Sequence, residues 1–303
     1  MQYFPLFVDT QGLRVLIVGA GEVASRKLDL LARTQADISV ISPEISDEIQ
    51  AYAERKRIRV YQRAIQDADV HNVDLIYLAT ANDALNARLA TLASERGIWA
   101  NVVDNPEYCR FITPSIVDRG RLVVAISTAG AAPVFARTIR AKLETWLPQS
   151  LAPLFDFVAE RRQEVQQKLP SSKQRRVFWE RFFDLNAERF DANTTEHYQN
   201  AFLQLGGKGE LLLIDSDTPP HLLPLAAMPL LQRLDAVCCD EVLPSMLNEL
   251  VRRDAQRQSV PNLSELAKGY EQGTRVLVYS DRAKIDQLIA HFPMAKHLRA
   301  GAI

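Results

Sequence analysis

Two glycines near the start of the chain have the spacing of a phosphate-binding turn. The apolar run 14–18 leads into Gly19 and Gly21, and Ala24 takes a third small position in a segment of helical composition. Gly19 would permit a tight turn, Gly21 would let a pyrophosphate approach the backbone, and Ala24 would let helix and strand pack closely. We therefore expect a dinucleotide at the helix N-terminus, although glycine turns also join strands to helices for purely structural reasons.

An acidic residue lies where the second strand of such a fold would end. Glu44 follows the glycine turn by about 20 residues, the separation at which an acid binds ribose hydroxyls. No arginine is adjacent to Glu44 to hold a 2′-phosphate, so the pattern favours NAD over NADP. An alternative interpretation of equal weight is that Glu44 is a solvent-exposed loop residue without a ligand.

A second carboxylate, Asp104, follows the apolar run 99–103. A carboxylate that ends a buried strand at the ligand-binding edge of a sheet is placed to accept protons near neutral pH. The alternative is turn chemistry, in which the Asp104-Asn105-Pro106 sequence bonds to its own backbone. Spacing alone weights the two interpretations equally.

Basic residues cluster in the segments that follow. Guanidinium groups pair bidentately with carboxylates, so these residues could bind a polycarboxylate, while each is individually consistent with a solvated surface charge. The five histidines are scattered singly and the three cysteines lack metal-ligand spacing, so no metal site is expected. The basic residues are Arg110, Arg119, Arg121, Arg137 and Arg140, followed by Lys173, Arg175, Arg176 and Arg181.

Alternating strand and helix patterns over the first 113 residues must position these groups, and they predict a Rossmann-like parallel sheet. Right-handed crossovers bring the carboxyl ends of parallel strands to one edge, where ligands bind. Thr80 and Asn82 are expected at that edge, with Asn82 a candidate helix cap. The predicted strands are 14–18, 38–42, 59–62, 75–79 and 99–103, and the predicted helices are 23–33, 46–55 and 84–96.

The pattern changes beyond residue 113. Strand-like runs at 111–117 and 122–127 flank a hairpin turn, and a helix is predicted over 134–147. A lone hairpin is marginally stable, so we expect it to complete a sheet with a second subunit.

The second half of the chain is predicted to hold a helical part and an α/β tail. Pro170-Ser171-Ser172 interrupts the helical part, and Gly206-Gly207-Lys208-Gly209 is the clearest linker. The tail has strand-like runs at 210–215, 237–239 and 275–280 and a helical run at 225–234, but it is small for a complete α/β domain. The predicted fold class is α/β, with a Rossmann-like NAD-binding domain (1–113), a small α+β dimerisation segment (114–147), a helical domain (148–205) and a small α/β C-terminal remnant (210–303).

Composition argues against several classes of protein. A net charge of −1 and 47% hydrophobic residues give no general attraction to nucleic acid or to an anionic membrane. The start lacks a signal-peptide pattern, and no apolar run reaches membrane-spanning length. Adjacent Cys238 and Cys239 argue against a disulfide framework, so we expect a cytoplasmic protein with reduced thiols.

Several ordered motifs resemble those of the siroheme synthase family, specifically its precorrin-2 dehydrogenase and sirohydrochlorin ferrochelatase module. The resemblance covers residues 1 to about 205 and is far more specific than the glycine turn alone. The motifs lie at 19–27, 79–86, 101–104, 111–119, 127–137 and 175–183.

The resemblance implies two reactions in one cleft of a homodimer. NAD would accept a hydride from precorrin-2 while a base removes a proton, giving sirohydrochlorin, and ferrous iron would then enter that macrocycle as a substrate. Asp104 matches the family's catalytic aspartate, thought to act in both steps.

The predicted binding residues combine the resemblance with the sheet-edge argument. Glu22, Val23, Pro43 and Glu44 match NAD-contacting positions of the family, and Gly19, Gly21, Thr80 and Asn82 complete the predicted cofactor site. The tetrapyrrole substrate is rich in carboxylates, and its predicted contacts are Ser127, Arg119 and Arg137.

The tail departs from the family pattern. In the family a methyltransferase that uses S-adenosylmethionine follows the linker, with a glycine-rich loop after its first strand. Here that loop is replaced by Asp215-Ser216-Asp217-Thr218-Pro219-Pro220, and proline lacks an N–H and fills space that a cofactor would need. The tail is therefore predicted to be a shortened, catalytically inactive remnant.

Two alternative functions stay open. One is a dehydrogenase whose product is chelated by another protein. The other is a non-catalytic NAD or tetrapyrrole sensor whose tail recruits a partner. The bifunctional enzyme and both alternatives would use the same cleft, so the spacing of residues in the sequence does not distinguish them. The presence of Asp104 argues against the sensor.

Overall fold

The structure is a computed structural model that describes residues 2–203 and 207–301. It contains two compact units, which divide between Phe155 and Asp156. The predicted linker residue Gly206, the predicted end of the helical domain at Leu205 and the last two residues of the tail lie outside the described residues. Among the described residues, no helix has the length and apolarity that a membrane crossing requires.

The first unit is built on five strands, most of them connected by helices. The observed bounds lie within two residues of the predicted ones. In chain order the elements are β1 (Arg14–Val18), α1 (Glu22–Leu31), β2 (Asp37–Ser42), α2 (Asp47–Glu54), β3 (Arg59–Gln62), β4 (Leu75–Leu78), α3 (Asp83–Glu95) and β5 (Trp99–Val102).

All five strands are parallel, in the order β3-β2-β1-β4-β5. The predicted Rossmann-like sheet is therefore confirmed. The chain moves outward from β1 in one direction through β2 and β3, and in the other through β4 and β5. A crevice opens at the carboxyl ends of β1 and β4, where the strand order reverses.

The apolar composition of β1 follows from burial on both faces. Leu16 and Val18 point into one hydrophobic core, while Val15 and Ile17 point into the core on the opposite face. Successive strand residues alternate between faces, so only a continuous apolar run satisfies both cores.

A hairpin and a helix complete the first unit: β6 (Ser115–Arg119), β7 (Leu122–Ile126) and α4 (Pro133–Trp146). The two strands form an antiparallel sheet of their own. Arg119, only 3% exposed, ties this hairpin to the end of α4. Its Nε donates to the Leu147 carbonyl (2.9 Å) and its Nη2 to Glu144 Oε2 (2.6 Å). The hydrogen bond from Arg119 lowers the pKa of the Glu144 carboxyl.

Three helices come next: α5 (Leu151–Lys168), α6 (Ser172–Asn186) and α7 (Thr194–Asn200). As predicted, the break between α5 and α6 falls at Pro170 and Ser171. An aromatic core joins the helices of the second unit, because the fully buried Phe178 and Phe182 both contact the Tyr198 ring edge-on.

The C-terminal tail forms a second sheet with helices on its connections. The predicted helix at 225–234 is shorter than expected, because a 3-10 turn, Leu225–Ala227, precedes it and Pro229 lies in its first turn. In chain order the elements are β8 (Glu210–Asp215), α8 (Met228–Leu231), β9 (Ala236–Cys239), α9 (Ser245–Leu250), β10 (Gln256–Gln258), α10 (Leu263–Glu271), β11 (Arg275–Ser280), α11 (Arg282–His291) and β12 (Lys296–His297).

This second sheet is also entirely parallel, in the order β10-β9-β11-β8-β12. Its interior strand β8 is buried on both faces, since Leu212 and Ile214 enter one core and Leu211 and Leu213 the other. The tail, although short, therefore has a five-stranded sheet with a core on each face, a more complete architecture than predicted.

Charged side chains of α6 hold this helix against the second sheet. Arg176 pairs with Asp235, Glu180 accepts from Arg275 (2.5 Å), and Lys173 Nζ donates to the Gln272 carbonyl. Burial alone would raise the pKa of Asp235, but hydrogen bonds from Arg176 and the Arg275 backbone hold it below the ordinary value. Part of the basic cluster in the helical region therefore stabilises the second unit.

Replacing Arg176 with Met should lower the free energy of unfolding by about 2 kcal/mol, because it leaves a largely buried carboxylate unpaired. Since the pairing depresses the pKa of Asp235, this stabilisation is present above the unfolded-state pKa and is lost as the pH falls through the folded-state value. Chemical denaturation at neutral and acidic pH measures both effects.

Arg253→Met is the matched control, because Arg253 is 90% exposed and pairs with Glu249 only at the surface. It should change stability very little at either pH. Equal losses in the two variants would show that the contact between α6 and the sheet carries no particular stabilisation.

Candidate functional site

The carboxyl edge of the first sheet carries a cleft of about 1170 Å³. It lies at the crevice between β1 and β4, and the turns after β1, β2, β4 and β5 form its walls. The structure brings together in this one cleft every residue predicted to bind the cofactor, and also the predicted catalytic aspartate. They are Gly19, Gly21, Glu22, Val23, Pro43, Glu44, Thr80, Asn82 and Asp104.

The turn after β1 leaves room for a ligand at the N-terminus of α1. Gly19 has a φ of +102°, and a Cβ at this position would lie 2.5 Å from the Ala79 carbonyl oxygen. Gly21 is the N-cap, and a Cβ there would meet nothing within 4 Å. Because Gly21 has no side chain to cap the helix, the first-turn N–H groups can be satisfied by a bound anion.

The turn after β2 places polar groups at one end of the cleft. Ser42 is buried, whereas Pro43 and Glu44 are exposed. No basic residue of the described chain forms an ion pair with Glu44. This carboxylate can therefore accept hydrogen bonds from a neutral ribose.

The turn between β4 and α3 forms the third wall. Asn82 caps α3, as predicted, by accepting a hydrogen bond from the Leu85 N–H (3.0 Å). The Thr80 hydroxyl lies 2.7 Å from Oδ1 of Asn86, a buried residue that was not predicted as part of the site. The helical spacing of Asn86 from Leu89 and Ala90 could have indicated an inward-facing polar residue.

Asp104 ends the fourth wall, two residues after β5. Its φ is +57°, in the left-handed region that aspartate tolerates better than most residues. The side chain is exposed, and its carboxylate forms no hydrogen bond within residues 2–203 and 207–301. The local turn is held instead by the Cys109 thiol, whose Sγ accepts from the Val102 N–H (3.2 Å). Asp104 therefore lacks the backbone hydrogen bond that turn chemistry alone would supply.

The charge of this carboxylate acts on a lysine of α1, Lys27. Lys27 is half-buried on α1, with its Nζ 6.0 Å from the centre of the Tyr77 ring. Burial lowers the pKa of the Lys27 ammonium, while the nearby Cys109 thiol and Asp104 carboxylate act in the opposite direction. Asp104 thus has a basic neighbour that sequence spacing did not reveal.

The three predicted substrate contacts lie outside this cleft. Ser127 is exposed after β7, and its Oγ accepts from the Ala129 N–H (3.0 Å). Arg137 is exposed on α4. Arg119 is buried and its guanidinium is used by the hairpin contacts described above, so we assign it a structural role.

Arg119 also borders a second cavity of about 1360 Å³, between the α1–α2 pair and the hairpin. Its charges largely pair with one another: Arg26 with Glu22, Arg33 with Asp29, and Arg119 with Glu144. Such internal pairing makes it a weaker anion site than its arginines suggest. Within the part of the chain that the structure describes, no group of three or more His, Cys, Asp or Glu side chains is placed to hold a metal ion.

Three family models match successive parts of the chain. The NAD(P)-binding model matches residues 6–115, the sirohaem biosynthesis protein central model matches 119–145, and the sirohaem synthase dimerisation region matches 150–205. Through these three successive regions the chain is similar to proteins of the siroheme synthase family. The dimerisation model thus lies C-terminal to the segment for which dimerisation was predicted.

Curated siroheme synthases are similar to this chain over most of its length. The protein from Pseudoalteromonas atlantica is 38% identical over 266 residues, covering 85% of this chain and 58% of the relative. That from Pseudomonas paraeruginosa is 41% identical over 288 residues, covering 92% and 62%. The chain therefore spans about three fifths of the length of these relatives. Both alignments are longer than the stretch that precedes β8, so the family likeness extends into the second sheet.

A solved structure titled SirC, precorrin-2 dehydrogenase, shares the fold. It matches with a TM-score of 0.55 and 24% identity, covering 67% of this chain and all of that one.

Replacing Gly21 with Ala should weaken NAD binding much more than it lowers the stability of the fold. The new methyl group meets no protein atom, so only the poorer N-cap preference of alanine acts, and the loss of stability should stay below about 1 kcal/mol. It would, however, occupy the space through which a pyrophosphate approaches, so NAD binding should weaken at least tenfold. Calorimetric titration and thermal unfolding measure the two quantities.

Gly97→Ala provides the opposite control, because Gly97 has a φ of +71° but no close neighbours and lies outside the cleft. It should lose about 1 kcal/mol of stability and bind NAD normally. Unchanged NAD affinity in Gly21→Ala would contradict the assignment of the glycine turn to the pyrophosphate.

Proposed function

We propose that this chain oxidises precorrin-2 to sirohydrochlorin with NAD and then inserts ferrous iron to give siroheme. One observation carries the proposal: the glycine turn, the Glu44 carboxylate and Asp104 line a single cleft at the carboxyl edge of the sheet. The likeness to siroheme synthases suggests the chemistry that such a cleft would perform.

The cleft fits NAD along its length. Gly21 and the uncapped start of α1 would hold the pyrophosphate, and Glu44 would accept hydrogen bonds from the adenosine ribose. The nicotinamide half would then lie toward β4 and β5, on the side of Asp104. When bound, NAD supplies the acceptor for a hydride.

Asp104 would remove the proton that must leave precorrin-2 along with the hydride. Its carboxylate is exposed and lacks a hydrogen bond within the described residues, so both oxygens are available to a substrate.

The same carboxylate would serve iron insertion. Ferrous iron enters the macrocycle as two pyrrole N–H protons leave, and Asp104 would accept a proton in this step as well. Iron is a substrate here, so the proposal requires no resident metal site.

We further propose that the working form is a cytoplasmic homodimer. The hairpin forms a sheet of only two strands, and α4 exposes Val134, Phe135 and Trp146 by more than 60% each. A second copy would cover these apolar side chains. It would also bring Ser127 and Arg137 of the 114–147 segment toward a bound tetrapyrrole. The cysteines are free thiols, consistent with a reducing compartment.

The tail is proposed to be inactive toward S-adenosylmethionine. In place of a glycine-rich loop, Asp215 ends β8 in a buried position. It accepts hydrogen bonds from Thr218 and Arg282 and is 3.1 Å from Nε2 of His297. A satisfied carboxylate followed by two prolines leaves no cradle for that cofactor. Measurable binding of S-adenosylmethionine by the full chain would contradict this.

Replacing Asp104 with Asn should leave folding and NAD affinity unchanged while lowering the rate of precorrin-2 oxidation by at least a hundredfold. Iron insertion into supplied sirohydrochlorin, without NAD, should fall as well because the same base is lost. NADH formation and siroheme absorbance follow the two steps.

Asp83→Asn is the matched control, since Asp83 lines the same cleft but lies in the first turn of α3. It should keep both activities. Wild-type turnover by Asp104→Asn would remove Asp104 from the mechanism. An unaltered chain that oxidises precorrin-2 but does not accelerate iron insertion would reduce the function to dehydrogenation alone.

A further inference from the structure

We propose that Asn86 is a positioning residue of the NAD site, which fixes the turn after β4 against the glycine turn. The inference rests on the proposed function only in that the cleft must bind NAD. Asn86 does not line the cleft and acts through Thr80.

Asn86 and Thr80 form a reciprocal pair of hydrogen bonds. Asn86 Nδ2 donates to the Thr80 carbonyl (2.9 Å), and the Thr80 hydroxyl lies 2.7 Å from Asn86 Oδ1. A carbonyl can only accept, so the amide NH₂ must face it and Oδ1 must face the hydroxyl. The hydroxyl therefore donates to Asn86, while its oxygen accepts from the Asn82 N–H (3.2 Å).

Because Asn86 is buried, this pair of hydrogen bonds restricts the position of the turn after β4. Asn86 is 2% exposed and lies on the inner face of α3, one turn before the core residues Leu89 and Ala90. Bulk solvent has little access to the Asn86 amide, so moving the turn would leave its polar atoms without their partners. The amide therefore holds the Thr80 backbone at one distance from the helix.

The position of this turn sets the shape of the phosphate-binding part of the cleft, beside the glycine turn. Ala79, immediately before Thr80, supplies the carbonyl oxygen that a Cβ at Gly19 would meet at 2.5 Å. A shift of the 79–80 backbone would press on the glycine turn or open a gap beside it. Because the Thr80 hydroxyl is engaged by Asn86, Thr80 contributes to the site through its backbone position rather than through a free side chain.

Asn86→Leu removes both hydrogen bonds at similar volume. We expect the Kd for NAD, measured by calorimetry well below the unfolding temperature, to rise about tenfold. At saturating NAD, kcat for precorrin-2 oxidation should stay within about twofold of the unaltered chain, because Asp104 is not displaced. A purely structural role for Asn86 would lower the unfolding temperature without changing this Kd.

Asn186→Leu is the matched control. Asn186 is also buried (5% exposed) and donates to the Arg189 carbonyl (2.5 Å), but it lies in the second unit. It should lower the unfolding temperature and leave NAD affinity unchanged. The inference is overturned if Asn86→Leu binds NAD like the unaltered chain, or if both variants weaken binding equally.

Substitutions at Thr80 keep the inference testable if Asn86→Leu does not fold. Thr80→Val removes only the hydroxyl and should weaken NAD binding, whereas Thr80→Ser retains it and should restore affinity. Equal affinities for Val and Ser would overturn the proposal. Since Kd is measured without tetrapyrrole, a chain that binds NAD but does not oxidise precorrin-2 would refute the proposed reaction and leave this inference standing.

Discussion

The close approach of Gly19 to the Ala79 carbonyl is the constraint on which the candidate site depends. Two neighbouring strands end at this point, and no side chain fits between their turns. The contact brings the start of α1 and the start of α3 to the same crevice, where the strand order reverses. Glu44 then marks one end of the cleft and Asp104 the other, so the spacing of these carboxylates follows from strand order rather than from local sequence.

Within each of the two units, many charged groups are used to hold the fold, and few are left for chemistry. Arg119 fixes the hairpin to α4, and Arg176 holds a helix against the second sheet. Asp104 differs because its carboxylate is exposed and has no hydrogen bond within the described residues. A carboxylate that contributes little to folding is free to serve a substrate.

Sequence patterns predicted the parts of the fold that are buried on both faces. β1 and β8 were placed correctly because only continuous apolar runs can enter two cores. The strands β10 and β12 were missed because they are short, polar edge strands, whose composition resembles that of loops. The residues of the cleft were predicted from the rule that ligands bind at the carboxyl edge of a parallel sheet. Lys27 and Asn86 were not predicted, because their roles arise from side-chain contacts that sequence spacing does not encode.

The central claim is that one cleft holds the dinucleotide and places its nicotinamide ring beside Asp104. A crystal structure of the chain with NAD tests this most directly. The account predicts the pyrophosphate on the first turn of α1 and the nicotinamide within contact distance of the Asp104 carboxylate. A dinucleotide bound elsewhere, or bound in this cleft with its nicotinamide at the Glu44 end, would contradict it.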